Sequence, residues 1–134
     1  MRRAAVRRTS FELGINDLGI EDLHVVSRIL YYAESCDKFA EHELDYIIFA
    51  RKDVDPTFTF NPDEIESVVW VSYHDFEAFL HQQQSLADSK TSPSISVITP
   101  WFQILKDKKL MRWWKTLIES GTFPNESHHI EKFS

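Results

Sequence analysis

Glu41-His42-Glu43-Leu44-Asp45-Tyr46-Ile47-Ile48-Phe49-Ala50-Arg51 is the stretch of sequence that decides the fold of this chain. The β-branched and aromatic residues in it are typical of a strand, which we predict over residues 43–51. Residues 24–33 have a similar composition and predict a second strand. We expect the two strands to pair as an antiparallel hairpin, joined by a long polar connection over residues 34–40.

The same stretch carries the first candidate site. Alternate residues of a strand point to one face of a sheet, so Glu41, Glu43 and Asp45 are expected to project together. Neighbouring carboxylates repel one another unless a cation lies between them, and this spacing is therefore compatible with a divalent-metal site. A solvated acidic strand face is the alternative, and composition alone favours that second interpretation.

Helices and a further strand are predicted around this hairpin. Residues 2–13 form a helix that ends at Gly14, since glycine commonly follows the last helical residue. Residues 66–72 alternate in polarity and predict a third strand. Ser72 is then the N-cap of a helix over residues 73–84.

The second half of the chain predicts one long helix. Residues 85–98 are rich in serine and are expected to form a loop. Thr99-Pro100 is a typical N-cap and first residue of a helix, which we predict to end before Gly121. The tail from Thr122 onwards is polar. Helices that alternate with strands in this order indicate an α/β fold class, and 134 residues suit a single domain over residues 1–134.

Composition excludes several classes of function. Net charge is −6, which argues against a nucleic-acid partner, because the phosphate backbone selects a basic face. No apolar run approaches the roughly 20 residues that span a bilayer. Cys36 is the only cysteine, so no internal disulfide can form, and a reducing compartment is expected. We expect a cytoplasmic monomer, with the peroxisome and the plastid as other locations.

Two further groups of residues have a structural and a functional interpretation. Arg8 and Glu12 lie four residues apart on the predicted helix, which is the spacing of an ordinary surface ion pair. They would also suit a phosphate contact and a metal ligand. Trp101, in the first turn of its helix, suits core packing, and it would also suit a ring that faces a cationic group.

These motifs stand in an order that resembles the Nudix superfamily in its isopentenyl-diphosphate isomerase form. The resemblance covers nearly the whole chain. It rests on Arg2-Arg3-Ala4-Ala5-Val6-Arg7-Arg8 followed by Glu12-Leu13-Gly14-Ile15, Tyr31 ahead of Glu41-His42-Glu43-Leu44-Asp45-Tyr46-Ile47, Asn61-Pro62-Asp63-Glu64-Ile65, Thr99-Pro100-Trp101-Phe102 and Arg112-Trp113-Trp114.

The resemblance implies an α/β/α sandwich with a mixed sheet, and an isomerase that moves a carbon–carbon double bond between two five-carbon diphosphates. It implies that Glu43 is one of an acid–base pair, with Tyr31 near the reacting carbon and Trp101 against the carbocation. Glu41 and Glu43 would bind Mg²⁺, with Mn²⁺ or Zn²⁺ as alternatives, and Glu12 would hold a second Mg²⁺. Arg8 would contact the phosphates of the substrate.

The chain also departs from the pattern of that family. The second catalytic group of the family, a cysteine, and its metal-binding histidines lie upstream of the helix with which this chain begins. The resemblance therefore predicts an incomplete sandwich that lacks its N-terminal strands, with little isomerase activity. A non-catalytic remnant or binding fragment is the alternative. A Nudix pyrophosphohydrolase is disfavoured, because Arg8 and Phe11 occupy positions where that activity needs glutamates.

Overall fold

The computed structural model describes residues 1–36, 39–55, 59–89, 98–124 and 129–133. Its centre is a mixed sheet of β1 (Leu23–Cys36), β2 (Phe39–Ala50) and β3 (Ile130–Phe133). The strand order is β2-β1-β3. β2 is antiparallel to β1, whereas β3 is parallel to it. The predicted α/β class is confirmed.

The hairpin is confirmed, and both of its strands are longer than predicted. Residues 34–36 and 39–40, which we expected in a polar connection, belong to the ladder, so the long connection was wrong. Only residues 37–38, outside the described residues, separate the two strands. Polar residues continue the strands because the main chain of each supplies hydrogen-bond partners to the other.

The third predicted strand was wrong. Residues 66–72 lie outside the sheet, and Val69 and Trp70 are about 60% exposed. Instead, β3 pairs with β1. β3 belongs to the tail, for which we predicted polar character and no strand. Alternating polarity describes a chain suited to a sheet, but it does not identify the strand with which that chain pairs.

One face of the sheet, here called the inner face, holds the core. It carries Ser27, Ile29 and Tyr31 of β1, which are 0%, 0% and 3% exposed. The residues opposite them in β2 are Ile47, Asp45 and Glu43, and paired residues of a ladder share a face. Core side chains that join Ile29 and Tyr31 are Val26, Ile47, Leu105, Trp113 and Phe133.

The helical half of the core starts where Thr99-Pro100 predicted. α3 (Pro100–Leu105) continues through a π-helical turn (Lys106–Leu110) into α4 (Met111–Ser120). Gly121 follows in the left-handed conformation, with φ of 67°, and confirms the predicted end. The π-helical turn, which the sequence did not predict, interrupts the otherwise continuous helix. Leu105 and Trp113 on either side of it are buried against the sheet.

The helix before α3 starts later and ends later than predicted. α2 spans Phe76–Ser89, so residues 85–89 of the expected loop are helical. Ser72 does act ahead of it, because its hydroxyl accepts a hydrogen bond from the backbone N–H of Asp75 at 3.2 Å. That bond forms a turn before the helix. The rest of the expected loop, residues 90–97, lies outside the described residues.

α1 (Arg2–Leu13) and its terminal Gly14 agree with the prediction. None of the residues of α1 is buried. Its end is held by the segment between β2 and the next helix, where the backbone N–H of Asn61 donates to the Glu12 carbonyl at 2.8 Å. Gly14 has φ of 67°, and a Cβ there would overlap the carbonyl oxygen of Thr59. None of the described helices is long and apolar enough to cross a membrane.

Candidate functional site

The acidic residues of β2 lie on the inner face of the sheet, at its uncovered end. Glu43 is opposite Tyr31 in the ladder, and Asp45 is opposite Ile29. Farther along β2, helices cover the same face, and Ile47 is buried there. The Phe49 and Trp113 rings meet edge to face, with 6.2 Å between their centroids. Glu43 itself is exposed. The inner face therefore has a packed apolar half and an accessible acidic half.

Tyr31 connects these two halves. Its side chain belongs to the core, while its hydroxyl donates a hydrogen bond to Glu41 Oε2 at 3.3 Å. Burial raises the pKa of Tyr31 to about 12, and the carboxylates of Asp45, Glu41 and Glu43 contribute to the shift. The phenol therefore stays protonated across the physiological range and remains a hydrogen-bond donor.

Asp45 shows that negative charge accumulates along this row. Burial raises the pKa of the Asp45 carboxyl, and the neighbouring Glu43 and Glu41 carboxylates raise it further. The sequence spacing put Asp45 in line with Glu41 and Glu43, but Asp45 was not among the predicted metal ligands. The two-residue period of a strand was the signal that could have added Asp45 to those ligands.

Trp101 lies in the first turn of α3 and is partly buried. It packs against the core cluster that includes Tyr31. Its ring meets the Phe102 ring edge to face, with 5.6 Å between the ring centroids. Core packing, one of the two interpretations of this residue, is thereby observed. Its place beside the cluster that holds Tyr31 is also compatible with a role at the acidic half of the face.

The predicted residues of α1 lie in different surroundings. Arg8 forms an ion pair with Glu12 and a second one with Glu64, with 3.3 Å between Arg8 Nη2 and Glu64 Oε2. The Arg8 side chain is 53% exposed. The structural interpretation of the pair as a surface contact is therefore observed. Glu12 contacts Arg8 through its side chain and Asn61 through its backbone carbonyl.

A bound cation would need several acidic or imidazole side chains around one point. Within the described ranges, no three His, Cys, Asp or Glu side chains are arranged to hold a metal ion together. The donor chemistry of the Glu41–Asp45 row nevertheless fits a hard divalent cation, because carboxylate oxygens are its preferred ligands. Of the two adjacent histidines, His129 is exposed, and His128 lies outside the described residues.

One ion-paired group on the inner face was not anticipated. The buried Ser27 hydroxyl donates a hydrogen bond to Glu131 Oε1 at 2.9 Å. Glu131 Oε2 lies 2.6 Å from Lys109 Nζ. The three residues come from β1, β3 and the π-helical turn. No pattern within one segment of the sequence indicates that they meet, because 104 residues separate Ser27 from Glu131.

Comparison with known proteins identifies relatives of this chain. Isopentenyl-diphosphate Delta-isomerase 1 of Bos taurus is 37% identical over 125 residues, which are 92% of this chain and 51% of that protein. The Mus musculus protein of the same name is 36% identical, with the same coverage. Isopentenyl-diphosphate Delta-isomerase I of Clarkia breweri is 36% identical over 126 residues, which are 91% of this chain and 40% of that protein.

The chain thus spans about half, or less, of the length of the curated relatives that it matches. A family model described as the NUDIX domain matches residues 1–94, which include α1, the hairpin and α2. That match takes in the Tyr31–Glu41 hydrogen bond and the acidic row. The chain belongs to the Nudix domain family, and within it resembles the isopentenyl-diphosphate isomerases.

Proposed function

We propose that this chain acts on isopentenyl diphosphate and interconverts it with dimethylallyl diphosphate. The chain spans about half the length of the bovine relative, so the reaction named for that relative is a proposal here. The observation that carries the proposal is the Tyr31 hydroxyl hydrogen-bonded to Glu41, with Glu43 opposite Tyr31 at the accessible end of the inner face.

The reaction needs a proton donor and a proton acceptor around an unactivated double bond. Protonation gives a tertiary carbocation, and loss of a different proton gives the isomer. Glu43 is proposed as one of these two groups, because its carboxylate is exposed at the acidic half while its backbone is held in the ladder. A residue on a paired strand is positioned more rigidly than one on a loop.

Tyr31 and Trp101 are proposed to act on the reacting carbons. Because its pKa is raised to about 12, Tyr31 remains neutral at physiological pH. It therefore donates a hydrogen bond and carries no charge that would trap the cation. The face of an indole ring is the best aromatic partner for a cation, and Trp101 packs against the cluster that contains Tyr31. The two aromatic residues thus suit a site where positive charge develops briefly.

Glu41 and Glu43 are proposed to hold a divalent cation, with Mg²⁺ the expected ion and Mn²⁺ or Zn²⁺ the alternatives. Bound there, such an ion would neutralise the carboxylates and add positive charge to the site. Glu12 is proposed to hold a second Mg²⁺ next to the diphosphate, with Arg8 as a phosphate contact. For that role, the Arg8–Glu12 ion pair must open or be shared with the ligand.

The proposal is tested by conversion under single-turnover conditions. The chain, in excess over isopentenyl diphosphate, is incubated with Mg²⁺ in deuterated water, and NMR follows the formation of dimethylallyl diphosphate and the uptake of deuterium. We expect slow conversion that Glu43→Gln abolishes. The matched control is Glu66→Gln, which alters an exposed carboxylate outside the sheet and should leave conversion unchanged.

Two other results are informative. Binding of the diphosphate without conversion would favour the alternative of a non-catalytic binding fragment. If the chain neither binds nor converts isopentenyl diphosphate, the proposed substrate is wrong.

The metal is tested separately by thermal denaturation. A ligand that binds only the folded state stabilises it by about 2.7 kcal/mol at a hundredfold excess over its Kd. We expect Mg²⁺ to raise the Tm of the native chain, and expect the increase to disappear in Glu41→Gln and Glu43→Gln. An equal increase in both variants would contradict the assignment of these ligands. The monomeric state and the cytoplasmic location stay predictions.

A further inference from the structure

Strand β3 lies on the side of β1 away from the acidic row. Its four residues pair in parallel with Arg28–Tyr31 of β1, and Phe133 is the register partner of Tyr31. Tyr31 therefore has Glu43 beside it in one neighbouring strand and Phe133 beside it in the other. Aligned residues of a ladder share a face, so Phe133 and the Tyr31 ring lie side by side on the inner face.

Phe133 is buried although β3 is short. It is 9% exposed and belongs to the same core cluster as Tyr31 and Trp113. Lys108 Nζ lies 5.0 Å from the centroid of its ring, within the distance of a cation–π contact. The π-helical turn thus contacts the ring from above the sheet, while β1 holds the backbone of β3 from the side.

Glu131 fastens the same strand at a second point. It accepts the hydrogen bond of the buried Ser27 hydroxyl at 2.9 Å and pairs with Lys109 at 2.6 Å. Burial by itself would raise the pKa of Glu131, but the Lys109 ammonium and the Ser27 hydroxyl hold it below its ordinary value. Arg112 adds a further favourable charge. The Glu131 carboxylate therefore stays ionised and paired at neutral pH.

A four-residue strand paired on one side provides few main-chain hydrogen bonds, and such a strand detaches easily unless side chains hold it. Here β3 is held by an apolar anchor, Phe133, and by an ionic anchor, Glu131. Both anchors engage the π-helical turn, through Lys108 and Lys109. This arrangement holds the Phe133 ring next to Tyr31, which is 3% exposed.

We propose that β3 is a positioning element for Tyr31, in which Phe133 fixes the orientation of the phenol ring towards Glu41 and the Ser27–Glu131–Lys109 group holds Phe133 in place. The proposal rests on the assignment of Tyr31 to the site under Proposed function. Phe133 and Glu131 are positioning residues, since they act on the reaction through Tyr31.

A position-specific probe tests this independently of catalysis. 3-Fluorotyrosine is placed at position 31, and ¹⁹F NMR compares its chemical shift in H2O and in D2O, which measures how far water reaches the ring. The control carries the same probe at Tyr46, which is 41% exposed on the opposite face of β2. In the native chain we expect a smaller difference between the two solvents at position 31 than at position 46, because Tyr31 is only 3% exposed.

Variants of β3 then decide the proposal. Phe133→Ala should increase the solvent-dependent shift difference of the probe at position 31 towards that of the exposed probe, and Phe133→Leu should restore most of the native value. Glu131→Gln should increase that difference by less. Glu119→Gln is the matched control, because it removes an exposed carboxylate from the Lys115–Glu119 pair and should leave the probe unchanged.

Folding is checked by urea denaturation of each variant. If Phe133→Ala does not fold, Glu131→Gln decides the proposal by itself, since it keeps the apolar anchor. Folded Phe133→Ala or Glu131→Gln with an unaltered solvent-dependent shift difference at position 31 would overturn the positioning role. The measurement needs no substrate, so an inactive chain that still shows these changes would contradict the proposed reaction and leave the positioning role supported.

Discussion

The inner face of the sheet and helix α1 carry the two parts of the proposed site, and they are held in different ways. On the inner face, Tyr31 is 3% exposed and has a strand on each side. On α1, no residue is buried, and the Arg8 side chain is 53% exposed. Strand pairing and burial determine where Tyr31 and Glu43 lie, whereas Arg8 and Glu12 are held by surface ion pairs and by one backbone hydrogen bond to Glu12.

This difference shows which predictions from spacing are robust. Exposed ion pairs are worth at most about 1 kcal/mol, which is too little to hold a helix in one orientation. A ladder with a buried face is worth several times more, and slipping it by one residue would expose every core side chain. The acidic row is therefore a fixed feature of this chain, and the Arg8–Glu12 pair can change its partners.

The largest expected effect is a loss of core packing beneath the acidic row. Ile29→Ala removes a fully buried side chain opposite Asp45 and should lower the free energy of unfolding by about 2–5 kcal/mol. Phe11→Ala on α1, where the ring is 53% exposed, should change it by no more than about 0.5 kcal/mol. Urea denaturation measures the free energy of unfolding of both variants. Equal losses would show that the inner face is held no more firmly than α1.

The second expected effect sharpens the description of how α1 is attached. Gly14 and Gly121 both have φ of 67°, but only at Gly14 would a Cβ meet another group, the Thr59 carbonyl. Gly121→Ala should cost the roughly 1–2 kcal/mol of a left-handed alanine. Gly14→Ala should cost more, because α1 must also move away from Thr59. Hydrogen exchange of the α1 amides distinguishes this movement from global unfolding, and equal costs in both variants would contradict it.

A smaller effect concerns the charge of the acidic row. The pKa of Asp45 is raised in the folded state, so the protonated form is favoured by folding. Its contribution to stability is present below the pKa of the unfolded chain and is lost as pH rises through the folded pKa. Asp45→Asn should therefore raise the Tm at neutral pH in metal-free buffer, and the gain should disappear at acidic pH.

Asp53→Asn is the control for that comparison, because Asp53 is exposed and lies beyond β2. It should show no such dependence on pH. A destabilised Asp45→Asn at neutral pH would mean that the row is not under electrostatic strain.

The smallest effect is expected at the Arg8–Glu12 pair. Arg8→Met removes two exposed ion pairs, one with Glu12 on α1 and one with Glu64, and each is worth about 0.3–0.5 kcal/mol. Lys115→Met removes a single pair on α4, where Lys115 Nζ lies 3.7 Å from Glu119, and should cost about half as much. Chemical denaturation at low and at high salt measures both. A loss well above 1 kcal/mol for Arg8 alone would indicate that α1 is held more firmly than its exposure suggests.

The sequence by itself determined the parts of the proposed site that lie within one pair of strands. Period-two spacing placed Glu41, Glu43 and Asp45 on one face, and the composition of the two runs indicated the hairpin. Thr99-Pro100 and Gly121 marked the ends of the last helical segment correctly. These features depend on residues close together in the chain, where backbone geometry and local hydrogen bonds dominate.

Only the tertiary structure decided which segment completes the sheet. Residues 66–72 have a stronger strand pattern than Ile130–Phe133, yet only the latter pairs with β1. A strand needs hydrogen-bond partners on a neighbouring strand, and the neighbour of β3 lies about a hundred residues away in the chain. The buried contacts of Phe133 and Glu131 supply what the short, polar sequence of β3 does not show, and they place that strand beside Tyr31.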